Sequence, residues 1–383
     1  MNISITETER KEYQVRERVD ITDESGTLLS TAGIRTVQSR FCGKHVSTLL
    51  IGGVATAPYN RRLGCVRKAL EHLLSIADER KWDVAMLHPF DAAYYNKFGF
   101  EKVADHKILE FPLDKLSFLP RCSDLLPLDS EERLNDVLAV YEKFAARSNG
   151  MFRRFDSTHY NVLPNAPKNW NRYNSEPCTF IWYDETGKAA SYITVKAEKY
   201  LDVNRMVPVA LHVHEYAFTS PESLKAILGF LRMFDGELDS VKIHNCSMAP
   251  EIDAMLRSYT HTSYTLVSDI QARILNVRTF LEANEYPRHA GSFRVFVDDY
   301  LPNTRGLWEV HYENGVGTVE KISDEPKGYD LYTPIDAFTK LVYGYESYTQ
   351  DQLTYIDGVK IGGDCTDFLA AFPKRNTGLF EHF

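Results

Sequence analysis

At 383 residues with 44% hydrophobic content the chain can bury two or three cores, which excludes a disordered protein. A net charge of −9 and a pI near 5.8 exclude the broadly basic face that nucleic acid or an anionic membrane requires, and an acidic average fits a cationic small molecule better. No apolar run reaches the ~20 residues of a bilayer span, and the opening MNISITETERKEYQ has no signal-peptide core, so cytoplasmic residence is expected.

In chain order, residues 7–18 read as a polar helix, and strands are expected over 28–38 and 45–51. Leu49, Leu50, Ile51, Val54 and Ala55 form a short apolar run in which Gly52 and Gly53 leave the backbone open to close approach. Arg61, Arg62 and Gly64 follow in a turn. Beyond it Leu63, Val66, Leu70, Leu73, Leu74 and Ala77 recur at the three-and-four spacing of one buried helix face, with Arg67, Lys68, Glu71 and Glu79 left for solvent. The first turn of such a helix presents unpaired N–H groups and the positive end of its dipole. Phosphate oxygens would be well met there beside Arg61 and Arg62, and Gly64 lets the backbone come close. A solvated arginine pair in an ordinary strand–loop–helix unit is the plain alternative for so short a pattern. A second apolar strand is expected over 83–88, then an aromatic segment from Tyr94 to Phe100 and a strand over 107–112.

Residues 115–128 carry Pro120 and Pro127 with little periodicity and read as a linker. Asp129 and Glu132 have capping-box spacing ahead of a helix with Leu134, Val137, Leu138, Tyr141, Phe144 and Ala145 on its apolar face. Strands over 179–183, 189–196 and 211–218 lead to Ser220 and Pro221, the N-cap and first residue of a helix that buries Leu224, Ile227, Leu228, Leu231 and Phe234. This plan repeats the one around Arg61 without its arginines, and Pro221 removes an N–H donor, so no cofactor is expected there. From about residue 286, strands over 293–297, 306–312 and 316–322 and a helix over 335–345 mark an independent α+β unit. Cys42, Cys65, Cys122, Cys178, Cys246 and Cys365 form no Cys-x-x-Cys pair and have no His at ligand spacing, so they read as reduced and structural, with no metal site. Cys65 is a conceivable nucleophile, but its place among core positions favours packing.

Strand, turn, helix and second strand together resemble the acetyl-coenzyme A core of the GNAT N-acetyltransferase superfamily, whose Arg/Gln-x-x-Gly-x-Gly/Ala motif maps onto Arg61, Arg62, Leu63, Gly64, Cys65 and Val66. Val66 departs from the small last residue. An apolar residue there is similar to the Eis (enhanced intracellular survival) branch, as are Leu87-His88-Pro89-Phe90, Tyr94-Tyr95-Asn96-Lys97-Phe98-Gly99-Phe100, the later FVDDYLPNTRGLWEV and the terminal Phe383. The resemblance implies an α+β architecture of two tandem GNAT-type acetyltransferase folds, 1–118 and a degenerate 119–285, followed by a sterol-carrier-like α+β domain over 286–383. It is weakest before Thr48, where there is little room for the superfamily's first strand and both of its first two helices. It further implies a homo-oligomer, a hexamer, and acetyl-coenzyme A as cosubstrate. The cofactor contacts would fall to Val54, Ala55 and Thr56 on the strand and to Arg61, Arg62, Leu63, Gly64, Cys65, Val66 and Arg67 around the turn.

Acetyl transfer from a thioester to an amine needs a neutral amine, stabilisation of the oxyanion and a proton for the departing thiolate. A phenol, with a pKa of about 10, suits the last task. Tyr95 falls where the Eis family places its general acid in Tyr-x-Arg-Phe-Gly-Tyr, with Lys97 for Arg and Phe100 for Tyr; by composition alone it is one core aromatic among 22 tyrosines. The family's general base is its own C-terminal carboxylate, here that of Phe383. An aromatic terminus can anchor in an apolar pocket, whereas most termini fray. His88, Glu381 and His382 are further pocket candidates, each equally readable as a satisfied core histidine or a solvated tail residue. The expected function is N-acetylation of aminoglycoside or polyamine-like amines, with peptide or protein lysine acetylation as the alternative in that class. A lipid or small-molecule carrier with a relic first domain is the non-enzymatic alternative. Neither nucleic acid nor membrane is an expected partner.

Overall fold

The computed structural model describes residues 1–11, 14–154, 176–198, 210–256 and 259–383. The charged opening is a hairpin, not the expected helix: β1 (Asn2–Lys11) and β2 (Gln14–Thr22) pair antiparallel. The charges conceal an even spacing of β-branched residues, Ile3 and Ile5 on one strand and Val15, Val19 and Ile21 on the other, which a pleated strand puts on one face. Glu9 meets Arg16 across the pair at 3.2 Å. The described residues between β1 and β3 (Leu28–Phe41) hold no helix.

From β3 the chain continues through β4 (Lys44–Thr56) and α1 (Cys65–Ser75) to β5 (Val84–Leu87), which runs parallel to β4. It then forms α2 (Ala92–Asn96), β6 (Glu101–Pro112) and the two-residue β7 (Leu126–Pro127). Next comes α3 (Glu131–Ala145), capped by Ser130, whose hydroxyl accepts from the Arg133 N–H at 3.3 Å; the cap lies one residue beyond the expected Asp129. The next elements are β8 (Cys178–Tyr183), β9 (Ala189–Ala197) and β10 (Ala210–Phe218), then α4 (Pro221–Leu231), capped by Ser220 as its sequence predicts. β11 (Ser240–Ile243), parallel to β10, α5 (Pro250–Met255) and β12 (Ser263–Ile274) follow.

Among the described residues these twelve strands make one sheet in the order β1-β2-β3-β4-β5-β12-β6-β11-β10-β9-β8-β7. Both β4–α1–β5 and β10–α4–β11 are parallel crossovers, and each unit gives its next strand to the other. β6 follows β5 in sequence but pairs with β11, and β12 follows β11 but pairs with β5. Such exchange is invisible to local periodicity, because it is decided by pairing between segments about 130 and 185 residues apart. Beyond α6 (Val277–Ala283), a second sheet is built from β13 (Gly291–Asp298), β14 (Gly306–Glu313), β15 (Val316–Ser323), β16 (Leu331–Pro334) and β17 (Lys360–Ile361). Its order is β15-β14-β13-β16-β17, with α7 (Ile335–Tyr343) packed against it.

Alternation along the strands decides which core each residue joins. Leu49, Ile51, Ala85 and Leu87 face α1 and pack with Ala69, Leu70, Leu73 and Leu74. Leu50, Met86, Ile270 and Ala272 face the other way, into a core shared with Phe338 and Leu341 of α7. α3 and α4 cover the far half, against Leu211, Val213, Val241 and Ile243. The architecture is mixed α/β with large sheets. Among the described residues no helix is long and apolar enough to cross a membrane.

Candidate active site

β4 and β5 pair only from Thr48 opposite Val84 to Ile51 opposite Leu87. Past that point β4 keeps β3 as a partner, with Gly52 opposite Gly33, Ala55 opposite Thr31 and Thr56 opposite Ser30. Its other edge opens as a split in which the backbone groups from Gly52 to Thr56 can serve a ligand's amides. The turn that follows has two left-handed residues, Arg62 (φ +66°) and Gly64 (φ +81°), which swing successive N–H groups outward. The first helical bond of α1 runs from Lys68 N to Gly64 O at 3.0 Å, so the N–H groups of Cys65, Val66 and Arg67 have no acceptor within the helix. The first turn of α1 holds no acidic side chain, Arg61, Arg62, Leu63 and Arg67 are exposed, and the space where a Gly64 Cβ would stand is open. A phosphorylated ligand fits this combination. Cys65 points the other way, 3% exposed within the α1 core, so packing accounts for it; all six cysteines are free thiols.

Tyr95, on α2, is 3% exposed and framed by Phe90, Tyr94 and Phe100 at ring distances of 5.4, 5.3 and 6.2 Å. Burial, and secondarily Tyr94, push its phenol up to about 12, so it stays protonated at neutral pH. The end of this segment is held from outside. Arg273 of β12, wholly buried, donates from Nη1 to the Phe98 carbonyl at 2.7 Å and from Nη2 to both Asp299 oxygens at 2.9 and 2.7 Å. Gly99 (φ +78°) is required beneath it, because a Cβ there would strike the guanidinium.

The C-terminal segment lies across both halves of the large sheet. Gly378 N donates to Asn149 O at 3.0 Å, Asn245 Nδ2 donates to Leu379 O at 3.1 Å, and Phe380 packs on Phe144 and Tyr216. The Glu381 carboxylate accepts from Nε of Arg154 at 2.7 Å, and the same buried guanidinium holds Glu215 at 2.7 and 3.0 Å. The Phe383 ring then rests against His88 (4.6 Å) and Phe152 (5.9 Å), with the exposed His382 ring 5.1 Å from His88. The terminal carboxyl lies directly on Gly52, where an added Cβ would stand 2.8 Å from its carbon and oxygen. Phe383 thus belongs to the face opposite α1 and Tyr95 to the α1 face, so the two flank the β4–β5 split from opposite sides.

Two groups here were not foreseen. Beside Phe383 is a cavity of about 320 Å³ lined by Arg16, Arg18, Arg35, Gly33 and Gly52, with Glu17, paired to Arg80 at 3.1 Å, as its one carboxylate side chain; the acidic overall charge therefore does not describe this surface. On the other side, His106 Nε2 and His244 Nδ1 are 2.9 Å apart, His244 Nε2 and His212 Nδ1 2.9 Å apart, and His212 Nε2 lies 3.5 Å from Glu198 Oε2. Burial holds His244 down to about 3 and its neighbour His214 down to about 4, so both are neutral. His212 and His214, two apart on one strand, were legible as sharing a face; His106 and His244 join them only through sheet pairing. Among the described residues no group of three or more His, Cys, Asp or Glu is arranged to hold a metal ion.

A split pair of parallel strands with an anion-receptive helix start beneath it is the acetyl-donor half of an acyltransferase, and residues 3–103 match the family model for an acetyltransferase (GNAT) domain. Residues 3–103 thus carry an acetyltransferase domain of that type, and the fold is Eis-like over nearly the whole length. It is similar to a probable N-acyltransferase of Enterococcus faecalis V583, described as a conserved protein of unknown function (TM-score 0.77, 19% identity, 97% of this chain and 89% of that one). A GCN5-related N-acetyltransferase from Anabaena variabilis (0.76, 18%, 96% and 89%) and Eis1 from Mycobacterium abscessus (0.73, 15%, 96% and 90%) share the same fold. Among curated proteins, no sequence matches the chain.

Proposed function

We propose that the protein transfers the acetyl group of acetyl-coenzyme A to a primary amine by direct attack, with Tyr95 as general acid and the Phe383 carboxylate as general base. The observation that carries this reading is the seating of the terminal carboxyl on Gly52, at the mouth of the β4–β5 split. Acetyl-coenzyme A, when bound, supplies the acetyl group as an activated thioester. The backbone of Val54, Ala55 and Thr56 would hold its amides, and the turn from Arg61 to Arg67 its phosphates. Phe383 receives the proton of the attacking nitrogen, and Tyr95 donates its own to the departing sulfur. In the same reading, residues 1–118 and 119–285 are tandem GNAT-type units, the second degenerate, and 286–383 is a sterol-carrier-like domain. The repeated parallel crossovers and the separate five-stranded sheet support this division. The Eis resemblance also suggests a hexamer, which sedimentation would read.

That resemblance makes aminoglycoside and polyamine-like amines the first acceptors to test, with a lysine peptide next. The experiment is release of coenzyme A thiol from acetyl-coenzyme A mixed with kanamycin, spermidine, lysine or a lysine peptide. Turnover of at least one is expected; no turnover together with no acetyl-coenzyme A binding sinks the reading.

Because Tyr95 is pushed up to about 12, kcat/KM should rise with pH as the acceptor amine loses its proton, with no alkaline loss from the acid below about pH 10. A pH–rate profile checks this, and a fall near pH 8 would point to another acid. Gly52→Ala should displace the terminal carboxyl, against which the new Cβ would press. Displacements of about 1 Å lower rates up to ~100-fold, so kcat should drop about 10- to 100-fold. An undiminished kcat would separate the carboxylate from the chemistry.

A further inference from the structure

We infer that the acceptor carries an anionic group beside its reactive amine, received by Arg35. This rests on the reading that the Phe383 carboxylate faces the acceptor. Strand register puts Arg16 opposite Arg35 and Arg35 opposite Leu50, and Arg18 opposite Gly33 and Gly33 opposite Gly52, so three guanidinium groups and a glycine floor share the face on which Phe383 ends. Arg16 is paired with Glu9 at 3.2 Å and Arg18 with Asp20 at 2.7 Å. Arg35 is half-buried and has no hydrogen bond or ion pair among the described residues. Burial and the neighbouring Arg16 depress its pKa, partly countered by the more distant Glu9 and Glu381. A partly desolvated cation without a partner is unfavourable unless a ligand supplies the anion, and the guanidinium fork suits a carboxylate or phosphate. The cavity, about 320 Å³, takes a molecule of amino-acid size. A polycation would bring its spare ammonium groups against the arginines.

The test pairs amines that differ only in the anion: lysine against cadaverine, and phosphoethanolamine against ethanolamine, which separates carboxylate from phosphate as the source. In at least one pair the anionic member should be favoured about tenfold or more in kcat/KM, as a charged hydrogen bond warrants. Arg35→Gln should abolish that preference without changing acetyl-coenzyme A affinity. Calorimetry with glutarate and with inorganic phosphate tests the subsite without turnover; one should bind the wild type and bind Arg35→Gln about tenfold more weakly or worse. Anion binding lost in Arg35→Gln without turnover of any amine would keep the subsite and reject acetyl transfer. Neutral or cationic partners preferred, or binding indifferent to Arg35→Gln, overturns the inference.

Discussion

Replacing Tyr95 with Phe is expected to lower kcat by about 10²- to 10⁴-fold, the range over which a positioned proton donor contributes, with acetyl-coenzyme A affinity unchanged. Phe preserves the ring contacts with Phe90, Tyr94 and Phe100 that hold α2, so the substitution removes the proton and little else. Thermal denaturation is the control, since a merely structural tyrosine would lose stability before it lost turnover. An unchanged kcat would rule Tyr95 out as the acid.

Asp299→Ala is expected to destabilise the fold by about 3–5 kcal/mol, the usual result of leaving one member of a buried ion pair alone. Arg273 would stay wholly buried with its charge uncompensated. The loss is a large part of a stability of roughly 5–15 kcal/mol, so urea unfolding should show a clear fall in midpoint. Turnover should fall too, because Arg273 also holds the Phe98 carbonyl at the end of the Tyr95 segment. The double variant Arg273→Met with Asp299→Leu should recover stability but not turnover, since an apolar pair can replace the buried charges but cannot donate to that carbonyl. A single-variant loss below about 1 kcal/mol, as for a surface pair, would contradict the positioning role.

Much of the donor half was legible locally. The spacing of Leu70, Leu73 and Leu74, and Gly64 before them, describes α1 and its start, because helix periodicity and a left-handed cap are short-range properties. The opening hairpin was misread because Glu7, Arg10, Glu17 and Arg18 at helical intervals mask an alternation that only cross-strand pairing reveals. The Arg273–Asp299 pair left a trace in the sequence, a lone arginine in the apolar run Ala272-Arg273-Ile274-Leu275, but its partner lies just past the end of β13, a strand of the other sheet. Arg35 and Arg154 left none, since a charged residue reads as surface until its burial is known. The path of the last residues was approached only through the family resemblance. It depends on Asn149, Asn245 and Phe144, none of which marks itself as a tail contact.

The central claim is that one site is completed by the two ends of the chain, the donor contacts from Gly52 to Tyr95 and the base from the final residue. Converting the terminal carboxylate of Phe383 to a carboxamide by protein ligation tests it most directly, because the ring, its contacts with His88 and Phe152 and the length of the chain are all kept. The account predicts unchanged acetyl-coenzyme A binding and a kcat reduced at least ~100-fold, as for loss of a general base. A carboxamide protein that turns over at the wild-type rate would contradict it.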